Sequence, residues 1–258
     1  MKPIFCLSYC LSGVTFPPSA DTIGACGVLI STGQIVPIRS RREKEEDVLT
    51  VWEAIKSRRS IRRFAPDDVP DEMINQMLEA ARLAPSGSNS QPWRFLVVKD
   101  AVKRKELRCI SMNQRFVEEA PVVIIAFADL ERTSQNARKL RWQEFEDSDI
   151  FESLSGDLGE REFWERVTSA ADPPREKVLP SARSNTYIAI TQMILMATAL
   201  GLGTCWLAGF NPAEINPLFS LPDTLVPVAV VPVGYPAGKT PAERPRVPFD
   251  EILVKPQH

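Results

Sequence analysis

Histidine is nearly absent from this sequence. The 258 residues contain one, His258, at the last position. A Ser–His or Cys–His nucleophilic centre needs a positioned imidazole, and so does a His-rich metal site, so none of these is the source of the chemistry. Cysteine is sparse and unpatterned. Cys6, Cys10, Cys26, Cys109 and Cys205 are odd in number and no two have C-x-x-C spacing. That argues against a disulfide framework or a zinc knuckle and fits a reducing, cytoplasmic compartment. No G-x-G-x-x-G run is present, so a Rossmann dinucleotide site is not expected. Charge is balanced, with 31 basic and 33 acidic residues and a net charge of -2. Neither nucleic acid nor an anionic membrane is therefore attracted globally. No internal repeat is visible. Difficult chemistry must come from elsewhere, and a bound organic cofactor is the natural source.

The hydrophobic fraction is 44% and the charged fraction 25%, enough apolar surface for a sizeable core in one large domain or two small ones. Residues 1–46 differ from the rest. Lys2 and the apolar stretch to Phe16 resemble a signal peptide only weakly, because Pro17-Pro18 interrupts them and no clean cleavage site follows. The region reads as an N-terminal extension, strand-like over Cys26 to Ile38. The main domain is expected over 47–258. Val51 and Ile55 mark a short helix, and Pro70-Asp71-Glu72 opens another with Ile74, Met77, Leu78 and Ala81 on its apolar face. Strands are expected at Phe95–Val98, Pro121–Ala128 and Leu225–Val233, and a helix at Val102–Met112. The acidic, aromatic stretch 130–180 reads as a helical lid or partner-contacting insertion, or as an ordinary amphipathic excursion. Asn185–Leu200 is apolar on nearly every face, which marks a helix buried in a core or subunit interface rather than a membrane span, given Asn185, Thr186 and Gln192. The alternation of helix and strand implies an α+β sandwich of helices on a mixed sheet.

Two segments carry the chemical signal. Arg58-Arg59-Ser60-Ile61-Arg62-Arg63-Phe64 offers guanidinium forks and a hydroxyl, which match phosphate oxygens. Read alone, it is more readily a solvated basic helix end than a phosphate site. About twenty-five residues on, Ala84-Pro85-Ser86-Gly87-Ser88-Asn89-Ser90-Gln91-Pro92-Trp93 offers small residues, backbone N–H groups and side-chain amides, or simply a helix-to-strand loop. Together they suit a ligand with a phosphate at one end, a polyol between and a flat polar ring at the other, a description that fits FMN. Gly201-Leu202-Gly203-Thr204-Cys205-Trp206-Leu207-Ala208-Gly209-Phe210 follows the long apolar helix, and is also readable as a helix C-cap followed by a buried strand.

In this order and spacing the segments resemble the nitroreductase family of flavoproteins, over roughly residues 50–250. The resemblance implies a nitroreductase-like three-layer α+β sandwich, its central mixed or antiparallel sheet flanked by helices, in an intertwined homodimer with FMN at the interface. It implies that Arg58, Arg59, Ser60, Arg244 and Arg246 hold the phosphate and that Arg62 lies at the N1/C2 carbonyl edge of the flavin. Pro85, Ser86, Gly87, Ser88, Asn89 and Gln91 of the partner chain would wall the ring and ribityl chain. Asn113 would touch the ring, and Ala208 and Gly209 would turn backbone N–H groups to the N5 edge. NADH or NADPH would be the transient reductant of a ping-pong reaction, with a nitro compound, a quinone or a related small molecule as acceptor. Metal is not expected, nor is a catalytic side chain beyond the flavin itself. Position 208 is alanine, where the best-known bacterial nitroreductases have an acid, and Arg62 stands where some members have lysine. Flavin cleavage of the dimethylbenzimidazole synthase kind, reductive dehalogenation and non-enzymatic flavin binding are the competing readings on the same fold.

Overall fold

The computed structural model describes residues 28–29, 35–36, 49–143, 162, 165 and 171–254. The chain divides into two compact units, Met1–Glu46 and Asp47–His258. In the first, β1 (Val28–Leu29) pairs antiparallel with β2 (Ile35–Val36), inside the stretch expected to be strand-like. The rest of that unit lies outside the described residues, as does most of the 130–180 lid.

The second unit is built around a four-stranded antiparallel sheet. Its strands are β3 (Trp93–Val98), β4 (Val122–Asp129), β5 (Gly203–Thr204) and β6 (Leu225–Gly234), in the order β3-β4-β6-β5. Period-two alternation along β4 explains the layering. Val122, Ile124, Ala126 and Ala128 enter one apolar cluster, and Val123, Ile125 and Phe127 the other. A strand buried on both faces reads as a continuous apolar run. The first cluster lies under α2 (Asp71–Arg82) and α6 (Arg175–Ala199), and the second includes Leu107 of α3 (Ala101–Ile110), Phe116 of α4 (Arg115–Glu119) and Ile215 of α7 (Pro212–Phe219). The result is the expected three-layer α+β sandwich. Along β6, Val226 and Val228 face the first cluster, but so do Ala229, Val231 and Val233. A bulge opposite Ala126/Phe127 shifts the parity by one residue, and Pro227 lies at that irregularity.

The long helix α6 begins ten residues before the apolar run that announced it. Its threonine hydroxyls are internally satisfied: Thr186, Thr191 and Thr198 donate to the carbonyls four residues back, Ala182, Tyr187 and Ile194. This hides their polarity within the helix. One side packs Ala189, Ile190, Met193 and Ala197 into the core, while Tyr187 and Ile188 on another side are exposed. The helix ends in a Schellman motif. Gly201 adopts φ +76°, its N–H donates to Thr198, and the Leu202 N–H reaches Ala197. α1 (Val51–Ser57) opens with a capping box between Thr50 and Glu53 and packs on α6. Of the 130–180 stretch, a 3-10 turn at Leu130–Thr133, α5 (Gln135–Gln143) and the start of α6 are described and helical.

Pro232 shapes the sheet margin. Its carbonyl accepts from the Cys205 N–H at 3.3 Å, but it has no N–H to return. Regular pairing with β6 therefore stops at Thr204. It resumes at one bridge, where Leu207 and Val230 exchange N–H···O bonds of 3.0 Å each.

Candidate functional site

The arginine motif leaves α1 at Arg58, whose N–H caps the helix on Ala54. The chain then runs along the outer side of β5. Ser60 bridges Thr204 in parallel, and the Ile61 N–H donates to the Thr204 carbonyl at 2.8 Å. Gly203 makes this approach possible. A Cβ there would lie 2.7 Å from Ile61 Cγ1 and 2.8 Å from Ile61 Cβ. Gly234 plays the same part where the chain passes Pro121 and Phe64, its would-be Cβ lying 2.6 Å from Pro121 Cδ. Ile61 is buried and anchors the segment, so the alternating Ser60 and Arg62 side chains are carried on its other side.

Ser60, Arg62, Arg63, Lys239 and Thr240 line a cavity of about 210 Å3. Three cationic side chains, two hydroxyls and no carboxylate make a donor set for a phosphate group. Arg59 is turned away from it. Its Nη1 donates to the Lys56 and Arg58 carbonyls at 2.6 and 2.9 Å, and its Nη2 meets Glu243 at 3.8 Å. Arg244 and Arg246 lie on the exposed tail, with the Arg246 guanidinium donating to the Arg244 and Pro245 carbonyls. Lys239 is not among the residues expected at the site from the sequence. The signal was available in Gly238-Lys239-Thr240, just after the Gly234-Tyr235-Pro236 turn.

A second group converges on the same margin. The Arg62 guanidinium lies 5.9 Å from the Phe116 ring centre. Burial pushes the Cys205 thiol up, with the positive charges of Arg62 and Arg58 acting weakly in the opposite sense. The Asn211 N–H donates to the Ile110 carbonyl at 3.0 Å, and Met112 Sδ would meet a Cβ on Gly209 at 2.9 Å. Arg62, Asn113 and the Ala208-Gly209 backbone are thus assembled by neighbouring segments. Met112 and Asn113 both adopt φ +56° as α3 ends in a second Schellman motif, the Asn113 N–H donating to Arg108.

The Pro85–Gln91 loop is held elsewhere. Ser88, Asn89 and Gln91 adopt positive φ (50°, 48° and 43°) without being glycine, a conformation costing on the order of 1–3 kcal/mol per residue unless the surroundings over-determine it. Four bonds do so. Asn185 Oδ1 accepts from the Gly87 N–H at 3.1 Å, Ser86 Oγ accepts from the Gln91 N–H at 3.0 Å, the Ser90 N–H donates to Gly87 at 3.1 Å, and Arg132 Nε donates to the Ser90 carbonyl at 3.2 Å. Asn185 was not singled out as a site residue, although an amide within an otherwise apolar helix is itself a signal. Its Nδ2 donates to Ser181, which fixes the direction of its oxygen. The loop lines a different cavity, of about 220 Å3, together with Lys177 and Ser181.

Comparison with known proteins follows the same outline. The sequence model of the Nitroreductase family matches residues 55–235. A Thermus thermophilus protein named NADH dehydrogenase is 34% identical over 209 residues, covering 80% of this chain and 96% of that protein. The Bacillus subtilis FMN reductase [NAD(P)H] is 28% identical over 204 residues, covering 78% of this chain and 72% of its own. Among solved structures, an Exiguobacterium sibiricum protein described as a nitroreductase in complex with FMN superposes with a TM-score of 0.65. It is 25% identical and covers 81% of this chain and 98% of its own.

Proposed function

The chain belongs to the nitroreductase family, and from that premise we propose that it is a cytoplasmic FMN-dependent oxidoreductase. It takes hydride from NADH or NADPH and delivers two electrons to a nitro compound, a quinone or a related small acceptor, with protons drawn from water. The observation that carries this reading is the carboxylate-free cluster of Ser60, Arg62, Arg63 and Lys239, set on a glycine-dependent sheet margin beside Ala208-Gly209. The fit to FMN rests on that donor set, which suits a phosphate at one end, and on the amide and backbone donors nearby, which suit a polar ring at the other. When bound, FMN supplies the two-electron chemistry that no side chain of a chain with one terminal histidine provides.

The roles of the residues follow from their chemistry. Arg58, Ser60 and Lys239 hold the phosphate with charge-assisted bonds, and Arg244 and Arg246 of the tail add to them. Arg62 places a permanent cation where negative charge grows on reduction. The N–H groups of Ala208 and Gly209 provide backbone donors toward the polar edge of the ring. Reductant and acceptor share one opening in turn, so initial-rate plots against the two substrates are parallel.

Two observations support the working unit as a homodimer. The arginine cluster and the Ser86–Gln91 loop line different cavities of one protomer, which suits a site completed by the partner's loop. Large apolar side chains are also left in the open, with Trp52 of α1 64% exposed, Tyr187 of α6 42% and Phe249 of the tail 75%. A subunit interface is one way to cover such side chains.

Anaerobic spectroscopy tests the proposal. The purified protein is expected to show bands near about 370 and 450 nm that bleach on addition of NADH or NADPH, since FMN absorbs there and carries the hydride chemistry. A protein that takes up no flavin, even on reconstitution with excess FMN, would refute the assignment.

A further inference from the structure

Asn113 is not free to present either end of its amide. Arg108 Nε donates to Asn113 Oδ1 at 2.8 Å, and Arg108 is itself held by Glu118, whose Oε2 accepts from Arg108 Nη1 at 2.8 Å. The backbone ties the same two residues together, since the Asn113 N–H donates to the Arg108 carbonyl at 3.0 Å. An amide has one acceptor end and one donor end. With the oxygen held against a guanidinium, the end of Asn113 turned away from Arg108 is its NH2 group. Rotating the amide would bring its NH2 group against the guanidinium, donor against donor, and would forfeit a charge-assisted bond.

We propose that Arg108 is a positioning residue that fixes the amide of Asn113 as a hydrogen-bond donor toward the bound flavin. The inference rests on the FMN reading above. A donor-only Asn113, three residues before the Phe116 ring that the Arg62 guanidinium faces at 5.9 Å, meets a carbonyl or unprotonated ring nitrogen rather than a ring N–H. Such a donor binds more tightly to the reduced flavin, where negative charge is greater, than to the oxidised one. The Arg108–Glu118 pair therefore acts on the redox balance of the cofactor without touching it. Neither residue belongs to the segments that marked the site in the sequence.

The test uses the holoprotein and reads the ratio of FMN affinities in the reduced and oxidised states, from the dissociation constant of oxidised FMN and the midpoint potential of the bound flavin. Asn113→Gly removes the amide and keeps the left-handed backbone without strain. It is expected to lower the ratio about tenfold, the effect of losing one hydrogen bond to a charged group, or about 30 mV for a two-electron couple. Arg108→Met frees the amide and is expected to lower the ratio by about threefold, part of that loss, while Arg108→Lys, which can still donate to Oδ1, restores it. In the Asn113→Gly background, Arg108→Met should have no further effect, because its action runs through the amide. An additive effect in the double variant would show that Arg108 acts by its charge alone and would overturn the proposal. So would an unchanged ratio in either single variant. Failure of the parent protein to bind FMN is a different outcome, which overturns the functional reading and this inference with it.

Discussion

At the scale of single residues, the site depends on small groups whose role is spatial. Gly203 is the clearest case. It carries no chemistry, yet a methyl group there would stand 2.7 Å from Ile61 Cγ1 and 2.9 Å from Cγ2. Ile61 is β-branched and buried, so it cannot swing aside as a long flexible side chain would. Gly203→Ala is therefore expected to push the Ser60–Arg62 segment off the sheet margin. The dissociation constant for FMN should rise at least about tenfold, and the folded state should lose about 1–3 kcal/mol from overpacking. Fluorescence titration with FMN and a denaturant melt measure the two effects separately. At this scale the sequence showed where side-chain chemistry is concentrated, and Ser60 and Arg62 line one cavity. It did not show how each side chain is engaged: Arg59 looks like its neighbours but folds back onto the Lys56 and Arg58 carbonyls. Lys239 and Asn185 could not be ranked without knowing which segments lie next to each other.

At the scale of elements, periodicity served well. The helices at α1, α2 and α3 and the strands β3, β4 and β6 begin and end within a few residues of where apolar spacing, Pro70 and the turn residues place them. The short helices α4 and α7 were missed because five and eight residues carry too little period to be distinguished from loop. The early start of α6 was missed because Arg175–Ser184 is largely polar and contains Pro180, so the apolar run that announces the helix begins only at Asn185. α6 also has a function beyond filling the core. Through Asn185 it holds the strained Ser86–Gln91 loop in its left-handed turns. Asn185→Ala leaves the Gly87 N–H without its partner, and a lost bond of this kind costs about 1–3 kcal/mol. The expected outcome is faster backbone exchange confined to residues 86–91, seen by hydrogen–deuterium exchange, together with weaker FMN retention. Asn185→Asp, which keeps the acceptor but loses the bond to Ser181, should fall between the two. Uniform destabilisation of α6 without a change in the loop would contradict this role.

At the scale of the whole molecule, the protomer looks like part of a larger unit. Trp52, Tyr187 and Phe249 are exposed to a degree unusual for such large apolar groups, and Val254 in the tail is 95% exposed. Among the described residues, no helix is long and apolar enough to cross a membrane. Pairing with a second copy is the proposed way to cover these side chains, and it predicts a link between association and cofactor. Dilution that dissociates the dimer should release FMN in parallel, and excess FMN should raise the melting temperature in a concentration-dependent way, because ligand and partner both bind only the folded state. Light scattering and flavin fluorescence over one dilution series would check it. A monomer that keeps its FMN at every concentration would show that the loop of a second chain is not needed. The three-layer architecture could be read from the alternation of helix and strand. The separation of the arginine motif and the Ser86–Gln91 loop into two cavities could not, because it depends on where distant segments come to rest.

The break in the ladder at Pro232 has a mechanical consequence. β4 and β6 are joined along nearly their whole length, so the middle of the sheet is stiff. The stretch from Cys205 to Gly209 is moored to β6 by one long bond at Pro232 and by the Leu207–Val230 bridge. With one rung missing, that stretch can yield by tenths of an ångström while the sheet behind it stays still. The boundary between the rigid frame and the compliant rim falls at a single pyrrolidine ring, and the groups proposed to face the ligand lie on the compliant side of it.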